Sequence, residues 1–155
     1  MIDQILTAWQ VNNRVNLLLI DHIDDKGMRC TLSTRGGRSV VRQFAHLHNN
    51  RIWHLTRRAK SLAADAHLFD THDEPDRHTL AAALRDSAER IEQLIRLASE
   101  GAPGVRTFKR GLIPYIAYFI AHESHHRGSI LLTLKQSGHA VDKTIRDAIW
   151  DWDRV

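Results

Sequence analysis

Apolar residues recur three and four positions apart over long stretches of this chain, and only three prolines and eight glycines interrupt them. That spacing predicts helices throughout and an all-α fold. Ile5, Leu6, Trp9, Val11, Leu17, Leu18 and Ile20 predict a first helix from Asp3 to about His22, ended by Asp24, Asp25, Lys26 and Gly27. Met28 to Leu32 reads as a short extended piece, and Thr34 to Arg38 as a turn. Ser39 is then the N-cap of a second helix reaching about Ala63. Asp70 to Pro75 form a polar break before a third helix, Arg77 to Ser99, which Gly101, Ala102, Pro103 and Gly104 close. A fourth helix begins at Gly111 or Pro114 and continues to about Gln136, where Ser137 and Gly138 stop it. A short last helix runs from Lys143 to about Trp152, with Ile145, Ile149 and Trp150 on neighbouring turns. Four long helices with connections of ordinary length predict an up-and-down four-helix bundle with a short C-terminal helix, as one domain over residues 1–155.

Composition narrows the function classes. The chain carries 22 basic and 18 acidic residues, a formal charge of +4, with no tail of one sign. Arg57, Arg58 and Lys60 form one small basic cluster, and Arg106, Lys109 and Arg110 another. Neither belongs to a base-reading motif, so they read as solvated helix ends rather than a nucleic-acid interface. A single cysteine, Cys30, excludes an internal disulfide. Neither a secretory leader nor a membrane-spanning apolar run is present, so a soluble cytoplasmic protein is expected. The unusual number is eleven histidines, because imidazole is the commonest protein metal ligand.

Two of those histidines sit in His122-Glu123-Ser124-His125-His126-Arg127-Gly128. Positions i and i+4 of a helix lie about 40° apart around its axis, so His122 and His126 stack on one face and have chelate spacing. Tyr115, Phe119, His122, His126, Ile130 and Thr133 fall within one stripe, which predicts that both rings look into the bundle. His125 is the weaker partner. A catalytic zinc-type centre takes three protein ligands and an open position, so a third must come from another helix. The second helix offers His46, His48 and His54. Its apolar arc, centred near Phe44, Leu47, Ile52 and Leu55, includes His48 and leaves His46 to the side with Asn50 and Trp53. The helical wheel alone favours His48 without settling the choice.

Ser39-Val40-Val41-Arg42-Gln43-Phe44-Ala45-His46-Leu47, together with the run from His122 to Gly128, resembles the DinB-like proteins, also grouped with the YfiT-like metal-dependent hydrolases. Helix order and length agree over nearly the whole chain. The resemblance implies a four-helix bundle whose metal is held by one histidine of the second helix and two of the fourth. By that match the ligands are His46, His122 and His126, with His48 the alternate. Family members often have Gln after the Arg-Gly pair; this chain has Ser129. The resemblance further implies a divalent cofactor such as zinc, nickel or iron, a small-molecule substrate, and homodimerisation. Some branches of the family use such a centre to activate a low-molecular-weight thiol, and others are called hydrolases. A metal-dependent hydrolase or thiol transferase is therefore the leading expectation, and a non-catalytic metal-binding or stress-response dimer the alternative.

Neighbouring residues carry narrower expectations. Glu123 is either an outer partner that fixes an imidazole tautomer or an ordinary exposed glutamate. Arg127 pairs with Glu123 of the same turn or holds an anionic substrate group. Gly128 inside a helix suggests close approach of another backbone or a ligand. Trp53 and Tyr115 are candidates for the pocket mouth. His22, His54, His67, His72, His78 and His139 read as surface or loop residues.

Overall fold

The computed structural model describes all residues, Met1–Val155, as six α-helices without a strand. They are α1 (Ile2–His22), α2 (Asp25–Met28), α3 (Val40–Arg58), α4 (Arg77–Ser99), α5 (Leu112–Gln136) and α6 (Lys143–Ala148). The four long ones, α1, α3, α4 and α5, pack as a bundle in which α1 and α3 both lie against α4 and α5. No helix is long and apolar enough to cross a membrane.

The long helices begin and end close to where the sequence puts them, and the departures have local causes. Asp24 accepts a hydrogen bond from the Gly27 amide at 2.7 Å, so the residues expected only to end α1 also nucleate the one-turn α2. Its helical turn replaces the start of the extended piece expected over Met28 to Leu32, none of which forms a strand. Helix α3 stops at Arg58 rather than Ala63, where the chain breaks at Ala59 and a 3₁₀ turn, Lys60–Ala63, follows. The break folds Leu62 and Ala63 back onto the core, and Arg90 of α4 donates to the Leu62 carbonyl at 2.8 Å. Helix α6 ends at Ala148, leaving Ile149 buried and Trp150 exposed. Arg77, at the start of α4, donates to the Ile20 and Ile23 carbonyls and so satisfies the C-terminal end of α1.

The apolar interior comes as two clusters. One gathers Val15, Leu19, Phe44, Leu47, Leu84, Ile130 and Leu134; the other holds Trp9, Ile52, Leu55, Ile91, Leu94, Tyr115 and Phe119. Between them, each long helix sends polar side chains inward: Asn12 and Asn16 from α1, Arg51 from α3, Ser87 from α4, and Glu123 and Arg127 from α5, all buried.

Candidate metal centre

Along α3, Gln43, His46 and Asn50 are spaced three and four apart and share one face; along α5, His122 and His126 do the same. Where those faces meet, one nitrogen from each of His46, His122 and His126 lies within 4.8 Å of the other two. The ring centroids are 4.8 Å apart for His46 and His126, 4.8 Å for His122 and His126, and 5.4 Å for His46 and His122. All three side chains are half-buried. Burial pushes the His46 and His126 rings down to about 4, with the Arg38 charge adding to it at His46 and neighbouring histidines at His126. Burial lowers His122 as well, against the opposing pull of Glu123. The rings are therefore neutral at pH 7, the protonation state that presents a lone pair to a cation.

These residues fit a metal. A tetrahedral zinc-type shell with nitrogens at about 2.0–2.1 Å holds its ligand atoms roughly 3–3.5 Å apart, a contraction that rotation of half-buried rings supplies. No carbonyl of the main chain and no carboxylate takes their nitrogens. Their polar neighbours are two amides of α3: Gln43 Oε1, 3.5 Å from Nδ1 of His126, and the Asn50 amide, 3.4 Å from Nδ1 of His122. The Gln43 oxygen accepts from Nδ1 of His126, whereas the Asn50 nitrogen donates to Nδ1 of His122, and each amide orients its ring.

His48, the choice of the helical wheel, lies elsewhere. It is buried on another side of α3, with Nδ1 2.9 Å from the Ala83 carbonyl and Nε2 2.8 Å from that of His67. The wheel finds it inside the apolar arc because it ties α3 to α4 and to the following loop. His125 is exposed, its ring 5.3 Å from that of His126, and is outside the convergent trio.

Glu123 has neither of the roles expected of it. Completely enclosed, its carboxylate accepts from Arg51 Nε at 2.7 Å and Nη2 at 2.9 Å, and from the amides of Asn12 and Asn16, each at 2.7 Å. Burial pushes this carboxyl up, but Arg51 and Arg127 outweigh it and hold the group below the usual carboxylate range. Arg127 does not bond Glu123 directly; it donates to Asn12 and Asn16 at 2.8 and 2.9 Å and to Ser124 at 2.7 Å. Tyr115 is core rather than pocket wall, 3.4 Å from a His54 ring that is itself buried, contrary to the surface position expected for it. A Cβ on Gly128 would meet nothing within 4 Å, so no part of this chain requires a glycine there. The glycines in close contact are Gly27, where a Cβ would come 2.9 Å from Leu134, and Gly37, where it would meet Ser33 more closely still.

His46 opens on a cavity of about 780 Å³ walled by Asn49, Asn50, Trp53, Thr56, Arg57, Leu68 and Tyr118. His126 opens on a second of about 300 Å³ that includes Arg38, Gln43, His125 and Ser129. Gln43, Asn50, Arg38 and Tyr118 had no assigned role in the sequence reading; the first two stand three before and four after His46, which is the signal that places them beside it. A larger cavity of about 930 Å³, between α1, α4 and the last residues, contains none of the three histidines, and its Arg14 and Arg77 already bind backbone carbonyls.

No curated protein and no solved structure matches this sequence. A protein-family match covers residues 1–150, and by it this all-helical chain belongs to the DinB family.

Proposed function

We propose that this protein is a metal-dependent enzyme in which His46, His122 and His126 hold a divalent ion, zinc, nickel or iron, with one coordination position left for a small molecule. One observation carries the reading: three neutral imidazoles from two helices converge beside open cavities while their nitrogens stay free of main-chain carbonyls and carboxylates. An ion held by three neutral ligands keeps its full charge and supplies a Lewis acid that lowers the pKa of water or of a low-molecular-weight thiol, the chemistry of hydrolysis or thiol transfer. Gln43 accepts the Nδ1 proton of His126 and so fixes the tautomer that presents Nε2. Asn50 meets His122 through its amide nitrogen, which donates to Nδ1, and the Tyr118 ring, stacked on His122 at 5.9 Å and 19°, limits that ring's rotation. The two cavities give a substrate access from either side of the trio.

Elemental analysis of protein made without a histidine tag tests the ligand set. One equivalent of metal is expected in the parent and in His48→Ala, with loss in His46→Ala, His122→Ala and His126→Ala. Full metal content in His46→Ala with loss in His48→Ala would reverse the third-ligand choice. In cobalt-substituted protein an added thiol should shift the visible absorption; an unchanged spectrum, reporting a shell closed by protein, would favour a non-catalytic role.

A further inference from the structure

His46 lines one cavity and His126 another of unlike character, and the contrast points to the kind of molecule that belongs there. Three large apolar side chains, Trp53, Leu68 and Tyr118, are 51%, 54% and 38% exposed and wall the same chamber beside His46. Grouped exposed apolar residues at a concave site mark a binding surface. Two of them are held in place before anything binds: the Arg57 guanidinium lies 4.3 Å from the centre of the Trp53 ring, and Tyr118 stacks on His122. Walls fixed in advance lose little conformational freedom on binding a flat or apolar body.

The other cavity is polar and carries Arg38 beside His126 and Gln43. Arg38 forms no salt bridge or side-chain hydrogen bond in the structure, and its charge acts on all three histidine rings. Neither cavity has an aspartate or glutamate in its wall. The carboxylate nearest in sequence, Glu123, is turned into the core and matched there by Arg51. One cavity has a free guanidinium, the other has Arg57 and neither has a counter-charge, so both attract anions, and a cation on three neutral ligands would reinforce that field.

We infer that the centre recognises an amphipathic anion, with an aromatic or apolar body between Trp53, Leu68 and Tyr118 and an oxyanion, of carboxylate or phosphate type, reaching past the histidines to Arg38. This rests on the metal-site reading above and names the substrate class that reading leaves open.

The test titrates 1-naphthylacetate, 1-naphthylmethylphosphonate, 1-naphthylmethanol, 1-naphthylmethylamine and acetate into metal-loaded and metal-free protein by calorimetry, with metal content measured on the same samples. At least one naphthyl anion should bind ten times more tightly than the neutral and cationic naphthyl probes and than acetate. Which anion leads assigns the carboxylate or the phosphate form. Arg38→Gln should remove most of the preference for charge, and Tyr118→Ala should weaken all naphthyl probes about tenfold, with metal content unchanged in Arg38→Gln. Equal affinity for the alcohol and the anions overturns the inference, as does a preference that survives Arg38→Gln and disappears in Arg57→Gln. Should the chain retain no metal, the metal-site reading falls by itself, and charge preference in the metal-free protein, which needs only Arg38 and the apolar walls, still decides this inference.

Discussion

Two pairs of identical spacing sit on the same two turns of α5, one residue out of phase: His122 with His126, and Glu123 with Arg127. Their surroundings are opposite. Glu123 receives four hydrogen bonds and Arg127 donates three, from or to Arg51, Asn12, Asn16 and Ser124, and no buried polar side-chain atom of the molecule lacks a partner. The histidines' only hydrogen-bonding contacts are with two amides, at 3.4 and 3.5 Å, the long limit of a hydrogen bond. One pair has spent its polar capacity on holding the bundle together, while the other keeps its nitrogens for something else. A rotation of about 100° along one helix separates a structural use of charge from a chemical one.

The largest effect should come from breaking the filled pair. Glu123→Ala leaves the Arg51 guanidinium, fully buried over the Trp9 ring, without its counter-charge. Removing one partner of a buried pair costs about 3–5 kcal/mol, which urea denaturation would register. His122→Ala, one residue away, should cost under about 1 kcal/mol in the metal-free protein, since it removes a half-buried ring with one weak hydrogen bond. Similar losses in the two variants would erase the distinction drawn between the pairs.

The same division recurs on α3, between His46 and His48. His48→Ala strands the His67 carbonyl, removes a bond to the Ala83 carbonyl of α4 and opens a small void, a loss of about 2–3 kcal/mol. His46→Ala should leave the urea midpoint of metal-free protein nearly unchanged. The opposite ranking would mean that the two histidines have been given each other's roles.

How much of this was legible beforehand follows from what these side chains look like as letters. Helix α4 was readable from Arg77 to Ser99 because all its buried positions but Ser87, namely Leu80, Leu84, Ala88, Ile91, Leu94 and Ile95, are apolar at helical spacing and the break ending at Pro75 marks its start. On α5 the face buried in the core runs Tyr115, Ile116, Phe119, Glu123, Arg127, Ile130, Thr133, Leu134. Two of its eight members are charged, and a periodicity rule reads a charged residue as exterior. That displaced the expected inward stripe onto His122 and His126, which are half-buried at its margin. Charges enter a core only when partners from other helices neutralise them, here Arg51, Asn12 and Asn16, and no single helix announces such partners. The histidine trio was reachable because His122 and His126 share one helix, while the third member came from family likeness against the wheel. Arg38 and Leu68 lie outside the long helices, so only the folded chain brings them to the site.

A pH experiment sharpens the contrast between buried and functional histidines. The His54 ring packs against Tyr115, Tyr118 and Phe119, and burial together with the charges of Arg58 and His122 pushes it down to about 4. In the unfolded chain the ring takes a proton near its ordinary value of 6.5, so the unfolded state binds protons first as pH falls. The stability His54 lends is complete above 6.5 and declines between 6.5 and about 4. His54→Phe should therefore gain on the parent by about 2 kcal/mol between pH 7 and pH 4.5, read from urea midpoints of metal-free protein. Parallel stability curves would show that the ring titrates as if exposed.

The smallest effect concerns the outer face of the same helix that carries both pairs. Gly128 follows Arg127, is exposed, and has open space where a Cβ would stand. Within this chain its only consequence is the backbone freedom it adds to the unfolded state, so Gly128→Ala should stabilise the protein by about 0.5–1 kcal/mol. A methyl group projecting from that face matters only if another surface comes close, as a second copy of the chain would. Urea denaturation over a range of protein concentrations separates the cases. A concentration-independent gain leaves Gly128 as an unpartnered helical glycine, whereas a loss that grows at high concentration would place a second chain against α5, directly behind the turn that holds His122 and His126.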